Sequence, residues 1–263
     1  MISLCTVLIN SATPFLDIYK DCVIAKTKLV REVCFCKVDE PPNFYKEETI
    51  NGIKFKTFGY DLFAHDSSAA MSPGNQHAIG MHECIDKASQ PYIFLCDPDI
   101  FFYTSVDEFY YNTMQNLQLD IIGSSHHAAT EIAQGYFPWH GNLLTAKKNL
   151  PTSEWMKGKF DIEGKYLQMG KVPGYTTMFP NSNKNFDTGS YLWLWAHEQN
   201  WKWLAFQTLD CHTYTSRYYK NNSNIKFKFP KQELFYHGVS GSIKNNEVMP
   251  IFANEYKKSK EDH

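Results

Sequence analysis

Two carboxylates stand one residue apart in Asp97-Pro98-Asp99, directly after the apolar segment Tyr92–Cys96. A short apolar run of this kind is typical of a buried strand, and ligands of open α/β sheets bind at the carboxyl ends of the strands. Paired carboxylate oxygens suit a hard divalent cation, which can in turn hold a diphosphate. The segment therefore predicts a phosphorylated ligand bound through a metal. The alternative is a strand that ends in an ordinary Asp-Pro turn.

The segments that precede this motif alternate between strand and helix patterns. Apolar runs typical of strands cover Ile2–Ile9, Val30–Val38 and Ile53–Phe58, and helix-spaced apolar residues cover Phe15–Leu29 and Gly74–Ala88. Strands separated by helical segments indicate βαβ units and a largely parallel sheet. The predicted fold class is therefore α/β.

The segments after Asp99 are less regular. Residues 150–185 are rich in Pro, Gly, Lys and Asn, which predicts short helices and a mobile loop. The charged tail Lys257–His263 is expected to be disordered. The remaining predicted elements are a helix at Ser105–Leu117, a strand at Asp120–Ser124, a strand at Tyr136–Ala146 with a polar turn at His140-Gly141-Asn142, a helix at Phe186–Trp203, a strand at Leu204–Thr208 and a final segment at Phe235–Val239.

Composition restricts the class of protein. The 263 residues fit one large α/β domain, expected at 1–256, and 26 basic against 28 acidic residues argue against a nucleic-acid partner. No apolar run reaches the roughly 18–20 residues of a membrane span, so no integral membrane segment is expected. The seven cysteines are odd in number and lie mostly in apolar runs. They are interpreted as reduced core residues, which favours a cytoplasmic location.

In this order the segments resemble the GT-A class of nucleotide-sugar-dependent glycosyltransferases, within it the family-2-like inverting enzymes. The resemblance spans residues 1–240 and is carried by VLINSATPFLDIY with Asp39, by SPGNQHAIGMHECIDKA, by the D-x-D strand together with FYHGVSGS, and by NFDTGSYLWLWAHEQNWKW. It implies a Rossmann-like, three-layer α/β/α fold with a mostly parallel mixed central sheet. Residues 1–100 would form the nucleotide-binding half, and residues 101–256 the half that binds the acceptor and completes the metal site.

The resemblance implies donor contacts in the first half of the chain. Asn10, Ser11 and Asp39 would surround uracil or another base, and a carboxylate can accept the imide hydrogen of uracil. The alternative for Asp39 is a solvated loop. His77 would bond a phosphate near a helix N-terminus, where backbone amides already favour anions. An ordinary, partly buried histidine is the alternative there.

The resemblance also implies a metal site. Asp99 would bind Mn²⁺ or Mg²⁺ directly, Asp97 would contact the ribose or reach the metal through water, and His237 would complete the coordination shell. An imidazole ligand favours Mn²⁺ over Mg²⁺. The cation would act as a Lewis acid that stabilises the departing nucleoside diphosphate.

The last implied contacts concern the transferred sugar and its acceptor. Asp187 would be the general base that deprotonates the acceptor hydroxyl, although it is also a favourable helix N-cap, a role that lowers basicity. Within FPWHGNLLTAKKN, Gly141 and Asn142 would line the donor sugar. Trp139 would stack on a sugar face and His140 would bond its hydroxyls, both on the acceptor side.

These expectations amount to a metal-dependent enzyme that transfers a sugar from a UDP-sugar to a glycan acceptor with inversion. Two alternatives stay open: a retaining enzyme with the same metal site, and a carbohydrate-binding protein that uses the six Trp and sixteen Tyr as stacking platforms. A dehalogenase-type phosphatase is disfavoured because Phe101 stands where its motif has Thr or Val. A nucleotidyltransferase is disfavoured because INSATPF is neither glycine-rich nor basic.

Overall fold

A computed structural model of the chain describes residues 1–8, 16–37, 40–59, 73–98, 100–126, 138, 141–150, 192, 195–196, 198–209, 212–220, 223–227 and 234–237. The helices in this part of the chain are α1 (Leu16–Lys26), α2 (Pro73–Lys87) and α3 (Val106–Leu117), with a 3₁₀ turn at Lys147–Asn149. The strands are β1 (Ile2–Leu8), β2 (Val30–Lys37), β3 (Tyr45–Ile50), β4 (Ile53–Gly59), β5 (Tyr92–Cys96), β6 (Ile100–Phe102), β7 (Ile121–His126), β8 (Asn142–Ala146), β9 (Trp203–Leu209), β10 (His212–Lys220), β11 (Ser223–Phe227) and β12 (Phe235–His237).

Within the described residues, the strands form one mixed sheet in the order β3-β4-β2-β1-β5-β8-β7-β9-β10-β12-β6, with β11 paired to β10. The neighbours β4, β2, β1 and β5 are parallel. Strand β8 runs antiparallel between β5 and β7, and β7 is parallel to β9. In the part of the sheet from β3 to β9, the described strands β4, β2, β1, β5, β7 and β9 run in one direction, and β3 and β8 run in the opposite direction. The expected mostly parallel mixed sheet is therefore confirmed.

Helices cover both faces of this sheet, because β1 is apolar on both sides. Leu4 and Leu8 join a core with α1 and α3, whereas Cys5 and Val7 join a second core with α2. Buried parallel strands carry near-continuous apolar runs for this reason. Leu192, a helical residue, also lies in the α2-side core. The three-layer α/β/α arrangement is therefore confirmed.

The described elements match most of the expected ones within a few residues, but one helix boundary is wrong. The helix expected at Phe186–Trp203 includes residues 201–203, yet Trp201 and Lys202 are not helical and Trp203 begins β9. The two tryptophans alternate with Lys202, which fits a strand better than a helix.

Four strands have no counterpart in the sequence-based predictions: β3, β6, β10 and β11. The hairpin of β3 and β4 turns at Asn51 (φ 50°) and Gly52 (φ 78°), and Asn-Gly between two strands is a strong signal for such a turn. The segment Tyr136–Ala146 is predicted as a strand with a polar turn at His140-Gly141-Asn142. Strand β8 begins at Asn142, the last residue of that turn, and residues 136–137 and 139–140 lie outside the described part of the chain. The six described cysteines are buried, as expected of core residues.

Candidate functional site

Three central strands end at the same edge of the sheet. Leu8, the last residue of β1, pairs with Lys37, the last residue of β2, and Cys5 pairs with Leu95 in β5. Because these strands are parallel, the chain leaves each of them on the same side of the molecule. Asp97 follows β5 directly, so its carboxylate lies at this edge.

The peptide group that joins Cys96 to Asp97 is held by hydrogen bonds at both its carbonyl and its amide. Thr6 donates its hydroxyl to the carbonyl of Cys96 (2.8 Å). The Asp97 amide donates to the carbonyl of Gly141 (2.7 Å), the residue that precedes β8. Gly141 has a φ of 80°, a left-handed conformation that glycine adopts with little strain. These bonds fix the backbone from which the Asp97 side chain projects.

The Asp97 carboxylate lies beside an imidazole. Its Oδ1 is 3.3 Å from Nε2 of His77, and the two side chains are 28% and 21% exposed. His77 is in the first half of α2, whose N-terminal end faces the edge where the parallel strands end. The contact therefore places a carboxylate and an imidazole side by side at a partly open edge of the sheet.

Helix α2 approaches β1 closely enough to bring His77 to this edge. A Cβ placed on Gly80 would lie 2.8 Å and 2.9 Å from the two γ-carbons of Val7. Real side-chain contacts are longer than this, so only glycine permits the observed spacing. The glycine at this position therefore sets the distance between the helix that carries His77 and the sheet that carries Asp97.

Asn142, the first residue of β8, is buried rather than open to a cleft. It is 3% exposed, and its Oδ1 accepts a hydrogen bond from the Tyr110 hydroxyl of α3 (2.9 Å). Its Nδ2 is buried and has no hydrogen-bond partner among the described residues. The donor group of Asn142 left for a ligand is therefore Nδ2, while its amide oxygen already accepts one hydrogen bond.

The short strand β6 brings a distant part of the chain next to the D-x-D motif. Strand β12 pairs antiparallel with β6, so that His237 is opposite Ile100 and Phe235 is opposite Phe102. Opposed residues in an antiparallel pair have Cα atoms about 4.5–5.5 Å apart. The backbone of His237 is therefore adjacent to the residue that follows Asp99.

The other site residues expected from the sequence lie outside the described residues: Asn10, Ser11, Asp39, Asp99, Trp139, His140 and Asp187. Within the described part of the chain, no group of three or more His, Cys, Asp or Glu side chains has an arrangement that could hold a metal. Among the described helices, none is long and apolar enough to cross a membrane.

Two buried residues that support the backbone near Asp97 were not predicted from the sequence. Thr6 and Tyr110 are buried, and each bonds a residue next to the Asp97 backbone, namely Cys96 and Asn142. Thr6 lies in the apolar run of β1, and Tyr110 lies in a mixed polar and aromatic helix. Threonine is common in strands and tyrosine is common in protein cores, so neither residue type indicates a supporting role.

No protein-family model matches the sequence, and no curated protein matches it significantly. Similar solved structures include TarS 1-349 from S. aureus, with 10% identity, a TM-score of 0.44, and coverage of 97% of this chain and 64% of that one. Another is the mannosyltransferase PcManGT from Pyrobaculum calidifontis with GDP-Man and Mn²⁺, with 9% identity, a TM-score of 0.39 and coverages of 57% and 45%. A third is glucosyl-3-phosphoglycerate synthase from Mycobacterium tuberculosis with Mn²⁺, UDP and glucosyl-3-phosphoglycerate, with 11% identity, a TM-score of 0.37 and coverages of 62% and 66%.

These solved structures are glycosyltransferases of the GT-A class, the class that the sequence resembles. The chain spans less than two thirds of the length of TarS 1-349 and about half of that of PcManGT. TM-scores below 0.5 at such identities establish neither an activity nor a ligand. The chemistry proposed for this chain therefore depends on its own residues.

Proposed function

We propose that the chain is a metal-dependent glycosyltransferase that moves a sugar from a UDP-sugar to a hydroxyl of a glycan acceptor with inversion. The observation that carries this proposal is the edge at Asp97. A carboxylate that directly follows a buried central strand lies 3.3 Å from an imidazole, and the backbone of His237 runs beside the same motif. A carbohydrate-binding protein that holds its sugar by stacking on Trp and Tyr rings needs no carboxylate and imidazole at this position.

The donor nucleotide is assigned to the ends of β1 and β2. Asn10 and Ser11 follow β1 in the sequence, and Asp39 follows β2. The last residues of these strands pair with each other at the edge where Asp97 lies, which supports a base and ribose held there. Uracil is the proposed base because its imide N–H can donate to the Asp39 carboxylate.

The metal and the diphosphate are assigned to Asp97, Asp99 and His237, with His77 beside Asp97. A bound Mn²⁺ or Mg²⁺ would stabilise the negative charge of the departing nucleoside diphosphate. The Nδ2 group of Asn142 and the turn at Gly141 are assigned to the donor sugar. A buried amide hydrogen without an acceptor costs about 1–3 kcal/mol, so an oxygen of a bound ligand would offset part of that cost.

The acceptor is assigned to the second half of a single domain that covers residues 1–256. Asp187 is proposed as the general base that takes the proton from the acceptor hydroxyl. Trp139 and His140 are proposed to hold the acceptor sugar by stacking and hydrogen bonding. An inverting reaction needs one such base on the side opposite the diphosphate, whereas a retaining enzyme would not need Asp187.

Turnover of UDP-sugars with and without metal tests this function. Hydrolysis or transfer should stop in EDTA and return with Mn²⁺. The Asp187→Asn variant should lose transfer and keep donor affinity, because only a transition-state interaction is removed. Appreciable transfer by that variant would indicate a retaining enzyme, and sugar binding without nucleotide or metal would indicate a carbohydrate-binding protein.

A further inference from the structure

We infer that the buried hydrogen bond from Tyr110 to Asn142 positions Asp97 for donor binding, acting through the carbonyl of Gly141. The inference deepens the proposed function and rests on it, because it assigns a role to residues behind the same site. Tyr110 touches none of the reacting groups, so it is a positioning residue.

The first step is the anchorage of Tyr110. Its ring is fully buried, stacks on Phe206 of β9 with centroids 5.6 Å apart, and meets Phe94 of β5 edge-on at 5.9 Å. Burial raises the pKa of Tyr110, so the hydroxyl stays protonated at neutral pH and acts as a donor. A ring fixed on two strands has little freedom to move its hydroxyl.

The second step is the transfer of that rigidity to β8. The hydroxyl of Tyr110 donates to Oδ1 of Asn142, which is 3% exposed. Asn142 pairs through its backbone with Cys96, the residue before Asp97. The side-chain bond therefore holds the start of β8 from the α3 side of the sheet, while the backbone pairing holds it within the sheet.

The third step is Gly141, the residue between this anchor and Asp97. Glycine has the widest range of backbone conformations, so its carbonyl direction is fixed only by its neighbours. In this structure φ is 80°, and the carbonyl accepts the Asp97 amide at 2.7 Å. Without the Asn142 anchor, the Gly141 carbonyl would be less restrained, and its bond to the Asp97 amide would open more often, while Thr6 still holds the Cys96 carbonyl.

Hydrogen exchange at the Asp97 amide tests this step without any ligand or activity. In Tyr110→Phe the ring stays and only the hydroxyl is removed. A lost hydrogen bond of about 1.4 kcal/mol corresponds to a tenfold change in an equilibrium constant. We expect the exchange rate of the Asp97 amide, divided by that of the Phe35 amide in β2, to rise about tenfold. The matched control is Tyr111→Phe on the same helix, whose ring packs at the margin of the same core and whose hydroxyl interacts with Tyr92 rather than with β8; it should leave the ratio unchanged.

The rate ratio separates positioning from a general loss of stability, because global unfolding would accelerate both amides equally. An unchanged ratio in Tyr110→Phe overturns the inference. Titration of UDP with Mn²⁺ completes the test: Tyr110→Phe should bind this probe about tenfold more weakly than the wild type and Tyr111→Phe. If Tyr110→Phe raises the ratio of the exchange rates but binds UDP with Mn²⁺ as tightly as the wild type, the inference is also overturned. If the wild-type protein binds no nucleoside diphosphate, the proposed function fails, and the exchange ratio still decides whether Tyr110 orders Asp97.

Discussion

At the scale of single residues, three contacts among the described residues restrain Asp97 and the peptide group before it. The carbonyl of Cys96 is fixed by Thr6, the Asp97 amide is fixed by Gly141, and the Asp97 carboxylate lies beside His77. Two of these contacts restrain the backbone and one restrains the side chain. Binding sites require this kind of support, because a ligand group displaced by about 1 Å can lose most of its effect.

Replacement of His77 tests the side-chain contact. His77→Gln removes the imidazole from the Asp97 carboxylate, and we expect affinity for UDP with Mn²⁺ to fall about tenfold, equivalent to 1.4 kcal/mol. Thermal stability should change little, because both side chains are partly exposed. Calorimetric titration measures the affinity.

His82→Gln is the matched control for that experiment. His82 lies on the same helix, and burial lowers its pKa while Asp86 raises it in part. This change should leave UDP affinity at the wild-type value. Equal losses in both variants would show that α2 is merely destabilised and would contradict a specific role for His77.

A second residue-scale prediction concerns Glu32, which lies at the opposite edge of the sheet. Glu32 is 1% exposed and forms an ion pair with Lys56. Burial alone would raise the pKa of Glu32, but hydrogen bonds from Lys56, Ser3 and Ser89 outweigh it and lower the pKa. Glu32→Gln should reduce the free energy of unfolding by about 3 kcal/mol at pH 7, because a buried cation loses its partner. Urea denaturation measures this loss.

The pH dependence of the same variant has a definite sign. A carboxyl whose pKa is lower in the folded state contributes stability above its ordinary value of 4.5, and loses it as the pH falls through the folded-state pKa. The difference in unfolding free energy between wild type and Glu32→Gln should therefore shrink as the pH falls below about 4.5. A constant difference between pH 7 and pH 3 would contradict the lowered pKa.

At the scale of elements, close packing of α2 against β1 determines where His77 lies. Gly80→Ala would place a methyl group 2.8 Å from a γ-carbon of Val7, which is 1% exposed and cannot move aside. Overpacking costs about 1–3 kcal/mol, whereas alanine gains about 1 kcal/mol of helix propensity over glycine. We expect a net loss of about 1 kcal/mol in the free energy of unfolding.

Val7→Ala provides the matching rescue experiment. The single variant leaves a cavity, and the methyl group of Gly80→Ala would fill part of it. The double variant should therefore be more stable than the sum of the single changes predicts, by about 1 kcal/mol in a double-mutant cycle. Strictly additive effects on the free energy of unfolding would show that the side chains at positions 7 and 80 have no steric interaction.

The elements also show how far the sequence could predict the fold. Apolar runs and helix spacing were enough for β1, β2, β4, β5 and the three helices, because burial on both faces dictates those patterns. Polar strands such as β10 and β11 carry no such pattern, and β6 is too short to show one. The D-x-D motif and His77 could be proposed as site residues from residue type and place in the chain, and that assignment stays a prediction. The His77–Asp97 contact and the Tyr110–Asn142 bond required coordinates, since they join residues distant in sequence.

At the scale of the whole molecule, the sheet brings two distant parts of the chain together. The parallel strands β4, β2, β1 and β5 present Asp97 at one edge, and the pairing of β12 with β6 brings the end of the described chain back to the D-x-D motif. Pairing across such long separations costs loop-closure entropy, which slows folding. A site shared by both halves is the central claim of the proposed function.

Thermal unfolding in the presence of UDP tests this claim most directly. UDP at 100 times its Kd should stabilise the wild-type protein by about 2.7 kcal/mol when Mn²⁺ is present. The stabilisation should vanish in EDTA, and at the same UDP concentration it should be much smaller in Asp99→Ala and in His237→Ala, one variant from each side of the β6–β12 pair. Equal stabilisation with and without metal, or unchanged stabilisation in either variant, would contradict a metal-dependent donor site shared by the two halves.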